Sequence, residues 1–200
     1  MIKSVITIGR QYGSGGREIG KKLSQQLGID FYDNELINIA AKKSGISEEL
    51  FEHYDEKPTS SFLYSLVTGG YATGDNMPFN HKLFLAQFDA IRSVAEKGPC
   101  IILGRCADYA LEDFDNLINI FIHSNIDIRV QRAIDEYGLD ISKAHDYVVK
   151  TDKKRASYYN FYSSKKWGNL ENYDITVDSG LLGVDKTVEL LKHFIELREK

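Results

Sequence analysis

Apolar positions in this chain recur with two different periods, and the switches between them mark out its elements. Val5, Ile6 and Ile8 form a short β-branched run, the pattern of a buried parallel strand. Ile19, Leu23 and Leu27 then recur every four residues and predict one face of a helix. Residues 29–33 predict a second strand ending on an acid, Asp33. Asn34 and Glu35 open a helix carrying Leu36, Ile37, Ile39 and Ala40, which Gly45 stops. Ser47, Glu48 and Glu49 suit the first turn of another short helix. Helical spacing returns over residues 81–97, with Leu83, Phe84, Phe88 and Ile91 along one side. After Gly98-Pro99, Cys100-Ile101-Ile102-Leu103 is an unbroken apolar run, hence a central strand. Residues 117–122 and 173–178 predict two more strands. Residues 127–137 and the face of Val184, Val188, Leu191 and Ile195 predict helices.

The alternation of strand and helix, without internal repeat or linker, predicts an α/β fold: a doubly wound, five-stranded parallel sheet flanked by helices. Two hundred residues, 42% hydrophobic and 27% charged, suit one domain spanning 1–200. A net charge of −4 argues against a general nucleic-acid or membrane-surface binder. No apolar run approaches a membrane span, and the N-terminus has no signal-peptide core. The two cysteines, Cys100 and Cys106, match no zinc spacing, so a cytoplasmic, reduced protein is expected. Two segments stand apart from this frame. Residues 58–80 combine three glycines (Gly69, Gly70, Gly74) and two prolines (Pro58, Pro78) with apolar side chains too frequent for a linker. They suit a flap, and Phe62 to Val67 would equally suit a homodimer contact. Residues 138–169 combine Lys150, Lys153, Lys154 and Arg155 with an aromatic run, Tyr158, Tyr159, Phe161 and Tyr162, which suits a helical lid.

The candidate chemistry lies between the first strand and the first helix. Gly9, Gly13, Gly15 and Gly16 leave backbone N–H groups able to close around phosphate oxygens, and a helix N-terminus adds about half a positive charge. The spacing is not that of the Walker loop, because Gly16 stands where its Lys would be, followed by Arg17 and Glu18. It is not the dinucleotide pattern either, since Glu18 takes the place of the third glycine. A turn that only lets helix and strand pack closely remains the bland alternative. Asp33 ends a strand beside the crevice where such sheets bind ligands, though it could simply cap the next helix. Gly104-Arg105 follows a buried strand, and a guanidinium fork there suits a phosphate. Arg129 and Arg132 lie three apart on one helix face.

Taken in order, the glycine loop, strand-end acid, Gly-Arg step, paired arginines, basic lid and terminal D-x-x-V-D-S strand resemble the cytidylate kinases. More narrowly, the chain is similar to the cytidylate kinase-like family of bacterial P-loop proteins. The resemblance runs over nearly the whole chain. It implies a P-loop nucleoside monophosphate kinase-like fold, with ATP as donor, Mg²⁺ as cofactor and a nucleoside monophosphate or related small molecule as acceptor. Gly13, Ser14 and Gly15 match the phosphate loop, so Arg10, Gly13, Ser14, Gly15, Gly16, Arg17 and Glu18 form the candidate phosphate-binding set. Asp33 and Arg105 match acceptor-side residues, while Arg132 and Arg155 fall near the lid arginines that grip the transferred group. Asp178 matches an acid closing the last strand, a structural position.

The departures bear on catalysis. No loop Lys is present, no protein ligand for Mg²⁺ can be assigned, and the acid of the family's G-R-D motif is replaced by Cys106, with Asp108 nearby. Arg17 restores a positive charge one position on, which makes Arg17, Arg132 and Arg155 the candidate catalytic residues. Two functions stay open. One is a kinase in which arginines supply the charge neutralisation that phosphoryl transfer needs. The other is a nucleotide-binding sensor that closes without transferring phosphate.

Overall fold

Strands β1 (Val5–Arg10), β2 (Asp30–Tyr32), β3 (Cys100–Leu103), β4 (Leu117–His123) and β5 (Ile175–Asp178) form one sheet in the order β2-β3-β1-β4-β5. Every pairing is parallel, with Ile6 opposite Ile101 on one side and Ile118 on the other. The computed structural model describes residues 2–54 and 78–199. Its helices are α1 (Gly16–Leu27), α2 (Glu35–Ser44), α3 (Glu48–Tyr54), α4 (Phe79–Ala95), α5 (Ala107–Ala110), α6 (Ile126–Asp135), α7 (Ile141–Ser163) and α8 (Ser179–Arg198).

Both sheet faces are covered, which explains why the central strands read as continuous apolar runs. Ile6, Ile8, Ile101, Ile118 and Ile120 meet Ile19 and Leu23 of α1 and Val188, Leu191 and Ile195 of α8. On the other face Val5, Ile102 and Leu117 meet Leu36 of α2, Ile91 and Val94 of α4 and Ala107 and Ala110 of α5. Each such Ile or Leu buried is worth roughly 1.5–3 kcal/mol over exposure, so the layers hold the strand ends in fixed relation. Because all strands are parallel, their C-terminal ends open at one edge, where β1 delivers the glycine loop, β2 delivers Asp33 and β3 delivers Arg105.

The expected fold is the observed one, with adjustments at the ends of elements. α4 starts at Phe79 because Pro78 takes the N-cap position. β5 begins at Ile175, and the preceding Asp174 instead pairs its N–H and carboxylate with the backbone of Asn119. α8 is interrupted at Gly183, whose φ of 73° and ψ of 172° are non-helical, so the turn expected at Ser179-Gly180 is a short helical segment before that break. Asp178 is structural, as expected: its carboxylate accepts from Gly180 N–H and caps α8. The flap expected over 58–80 lies, up to residue 77, outside the described residues. No described helix is long and apolar enough to cross a membrane.

The 138–169 segment divides in two. The C-terminal half of α7 is core: Tyr158, Tyr159 and Tyr162 are buried with Phe84 and Cys106, and the Tyr162 ring stacks on Phe84 at 3.9 Å. The Tyr158 hydroxyl donates to Gln87 of α4 at 3.0 Å. The N-terminal half lies over the glycine loop.

Candidate phosphate-binding cleft

The glycine loop needs its glycines for three separate reasons. Gly13 has φ 78°, and a Cβ there would stand 2.4 Å from the Arg129 backbone oxygen. Gly15 has φ 75° as the N-cap of α1. A Cβ on Gly16 would fall 2.7 Å from that of Arg10. Such close approach leaves the amides of Gly13, Gly15, Gly16 and Arg17 without an acceptor among the described residues, at the N-terminus of a 12-residue helix. They line a cleft of about 550 Å³ that also contains Arg10, Glu18, Asp33, Arg105 and Arg155.

Ser14 turns inward: its hydroxyl donates to the Gln11 carbonyl at 2.8 Å, and its own carbonyl accepts from Ser179 at 2.6 Å. Glu18 meets Lys22 at 3.0 Å and Arg132 at 3.5 Å. Asp33 lies between two arginines. Among the described residues no group of three His, Cys, Asp or Glu could hold a metal. The carboxylates that line the cleft, Glu18 and Asp33, are both paired with cations, and a Mg²⁺ ion takes only one or two carboxylates beside phosphate oxygens.

Across the cleft, the Asp33 carboxylate does not cap α2. Its Oδ2 accepts from Arg17 Nε at 2.6 Å, and its Oδ1 and carbonyl accept from Arg105 Nη1 at 3.4 and 2.8 Å. Arg105 is buried with φ 54°, a left-handed conformation shared by Cys106 at 55°, so β3 turns sharply and sends the guanidinium back toward β2. Arg17 is different: its side chain is 68% exposed at the cleft mouth.

Arg155 donates to the Arg10 carbonyl at 3.3 Å and lies 5.7 Å over the Tyr12 ring. Arg132 stands beside Gly15 and pairs with Glu136 at 2.9 Å. Arg129, expected beside Arg132 on one helix face, is buried and pairs with Asp152 at 2.6 Å. The cations of this region are therefore interleaved with acids, whereas a count of Lys and Arg alone suggests mutual repulsion. The cleft also brings in Gln11, Tyr12, Lys21, Asn34 and Tyr137, none singled out from the sequence. Lys21 had a legible signal, one helical turn after Arg17. Tyr137 and Asn34 had none.

Behind Arg10, Arg105 and Arg155 lies a chamber of about 30 Å³, room for a water or two, with Asp108 in its wall. The Tyr159 hydroxyl donates to Asp108 at 2.6 Å. Burial pushes the Asp108 carboxyl above its usual value, and the Tyr159 bond works against that shift. Burial first, then the Asp108 charge, raises the Tyr159 phenol well beyond the ordinary range.

Residues 5–181 match the model of the cytidylate kinase-like family. The chain is 23% identical to a cytidylate kinase of Methanopyrus kandleri, over 98% of this chain and 94% of that one. It is 22% identical to a cytidylate kinase of Pyrococcus horikoshii, over 97% and 89%. Among solved structures it is similar to an uncharacterized protein from Eubacterium ventriosum, with TM-score 0.72, 29% identity, and 97% and 99% of the two chains covered. A shikimate kinase from Bacteroides thetaiotaomicron shares the fold, with TM-score 0.57, 16% identity, and 96% and 98% covered.

Proposed function

The chain belongs to the cytidylate kinase-like family, and on that premise we propose that it transfers a phosphoryl group from ATP to a nucleoside monophosphate or a related small acceptor. The observation that carries this reading is the set of unbonded loop amides sharing one cleft with the Asp33–Arg105 pair. The amides of Gly13, Gly15, Gly16 and Arg17 hold the donor's terminal phosphates. The acceptor lies against Asp33 and Arg105. An acceptor phosphate oxygen bonds to the γ-phosphorus as the bond to the bridging oxygen breaks, leaving ADP. Positioning and charge neutralisation carry such a reaction, and Arg17, Arg132 and Arg155 are the cations at hand. The N-terminal half of α7 acts as a lid on the donor side.

Arg17 pairs with Asp33, yet it remains suited to the phosphates. The Arg17 end of the pair is solvated, and its buried partner Asp33 is also held by Arg105, whereas a charge-assisted contact to phosphate is worth about 1.5–3 kcal/mol. A bound triphosphate therefore draws Arg17 away from Asp33. A second reading, a sensor that binds nucleotide without transfer, is favoured by one observation: Gly16 occupies the loop-Lys position.

The test is an assay of the purified chain with ATP, Mg²⁺ and a panel of nucleoside monophosphates, read as ADP and phosphorylated acceptor. Binding of ATP without product would favour the sensor, and absence of binding would remove both readings. Arg17→Ala should weaken triphosphate binding by about 1.5–3 kcal/mol, far more than Arg10→Ala. Equal, sub-twofold effects of the two changes would take Arg17 out of this role.

A further inference from the structure

The backbone of Tyr12, one residue before the left-handed Gly13, is held on both sides by a single ion pair. Its N–H donates to Asp152 Oδ1 at 2.7 Å, and its carbonyl accepts from Arg129 Nη1 at 3.1 Å. The same Nη1 donates to Asp152 Oδ2 at 2.6 Å, while Arg129 Nε donates to the Ser124 carbonyl at 3.0 Å. Both charged side chains are largely buried, 8% and 14% exposed. The Arg129 backbone oxygen also occupies the space where any Gly13 side chain would stand. From α7 the Tyr147 ring meets the Tyr12 ring edge-on at 5.3 Å.

A buried ion pair is poor evidence of stabilisation, because desolvation offsets most of the attraction. This pair directs hydrogen bonds to both backbone polar groups of Tyr12, and so sets the direction in which the chain enters Gly13. We propose that Asp152 is a positioning residue for the phosphate loop: from the middle of α7 it locks Arg129 and the Tyr12 backbone, and so holds the amides of Gly13, Gly15, Gly16 and Arg17 convergent on phosphate. Movement of α7 and the shape of the loop are then coupled through one carboxylate. The ligand class rests on the proposed function; the lock itself does not.

The test compares the full chain with Asp152→Asn, which preserves shape and one acceptor but removes the charge that holds Arg129. Two readouts are taken: titration with ATP and with inorganic tripolyphosphate, and hydrogen exchange at the Tyr12 amide. The expected result is binding of both polyphosphates weakened about tenfold or more, together with faster exchange at Tyr12. In turnover, the loss falls on the KM for ATP and leaves the KM for the acceptor unchanged, a split that general destabilisation does not produce. Unchanged binding overturns the proposal, as does weakened binding with unchanged exchange. If the wild-type chain binds neither polyphosphate, the proposed function fails, and Tyr12 exchange alone decides the lock: faster in the variant supports it, unchanged refutes it. Should Asp152→Asn not fold, Arg129→Lys, which keeps the charge but loses the fork, is read by the same criteria.

Discussion

On the wall of the cleft built by residues 13–16 the groups left for a ligand are backbone amides, whereas the opposite wall presents the side chains of Asp33, Asn34 and Arg105. The first wall owes its shape to sterics: left-handed Gly13 is pressed against Arg129, and Gly16 against Arg10. It has one arrangement, and moving away from it costs strain. The second wall owes its shape to charge. Asp33 is shared between Arg105, 2% exposed, and Arg17, 68% exposed, so one arginine is fixed while the other can change partners. On the proposed reading, the amide wall would take the polyphosphate and the exchangeable ion cluster would discriminate among acceptors.

The largest effect expected from breaking this contrast is on the charged wall. Asp33→Ala removes the carboxylate facing the buried Arg105, and should cost about 3 kcal/mol in urea unfolding. A loss below about 1 kcal/mol would mean that the Asp33 carbonyl and Asn34 suffice to hold Arg105. On the steric wall, Gly13→Ala should cost about 2 kcal/mol, since the new methyl meets a backbone oxygen at positive φ. It should also abolish polyphosphate binding, while Asp33→Ala should leave tripolyphosphate binding intact. The reverse pattern in titrations would exchange the roles of the two walls.

The smallest effect concerns the chamber behind the charged wall. Because burial raises the Asp108 value, the folded state holds its proton above the ordinary 3.8. Stability should therefore fall as pH rises from about 4 through the raised folded value, by at most about 1.4 kcal/mol per pH unit. Tyr159→Phe removes a bond that lowers this value, so the fall should extend to higher pH. The variant should be less stable by about 1 kcal/mol at pH 7 and by less at pH 4. Urea midpoints across that range measure it, and an equal deficit at both ends would remove Asp108 as the cause.

The fold was largely legible in the chain because its signals are local. A parallel strand covered on both faces must be apolar throughout, so Cys100–Leu103 declared itself with the bounds observed. The glycine turn was legible for a related reason: glycines crowded between a β-branched run and an amphipathic helix mark a backbone that must turn tightly, whether or not it binds phosphate. Element ends were less legible, because they depend on neighbours, as where Asp174 leaves β5 to bind Asn119. The site was legible in its types of residue but not in their partners. Arg129 and Arg155 look alike in a list of cations, yet one braces the Tyr12 carbonyl and the other lies over the Tyr12 ring.

By itself, then, the sequence determined the alternation of strands and helices, the parallel sheet, the place of the glycine turn and the strand ends that carry Asp33 and Arg105. These follow from side-chain period and from backbone freedom, which act over a few residues. Only the tertiary structure decided which acid meets which arginine. Asp152 reaches Tyr12 across 140 residues of chain and Asp33 reaches Arg105 across 72. Charge pairing has no sequence period: it is set by which elements the sheet order brings together and by how dry the meeting place is.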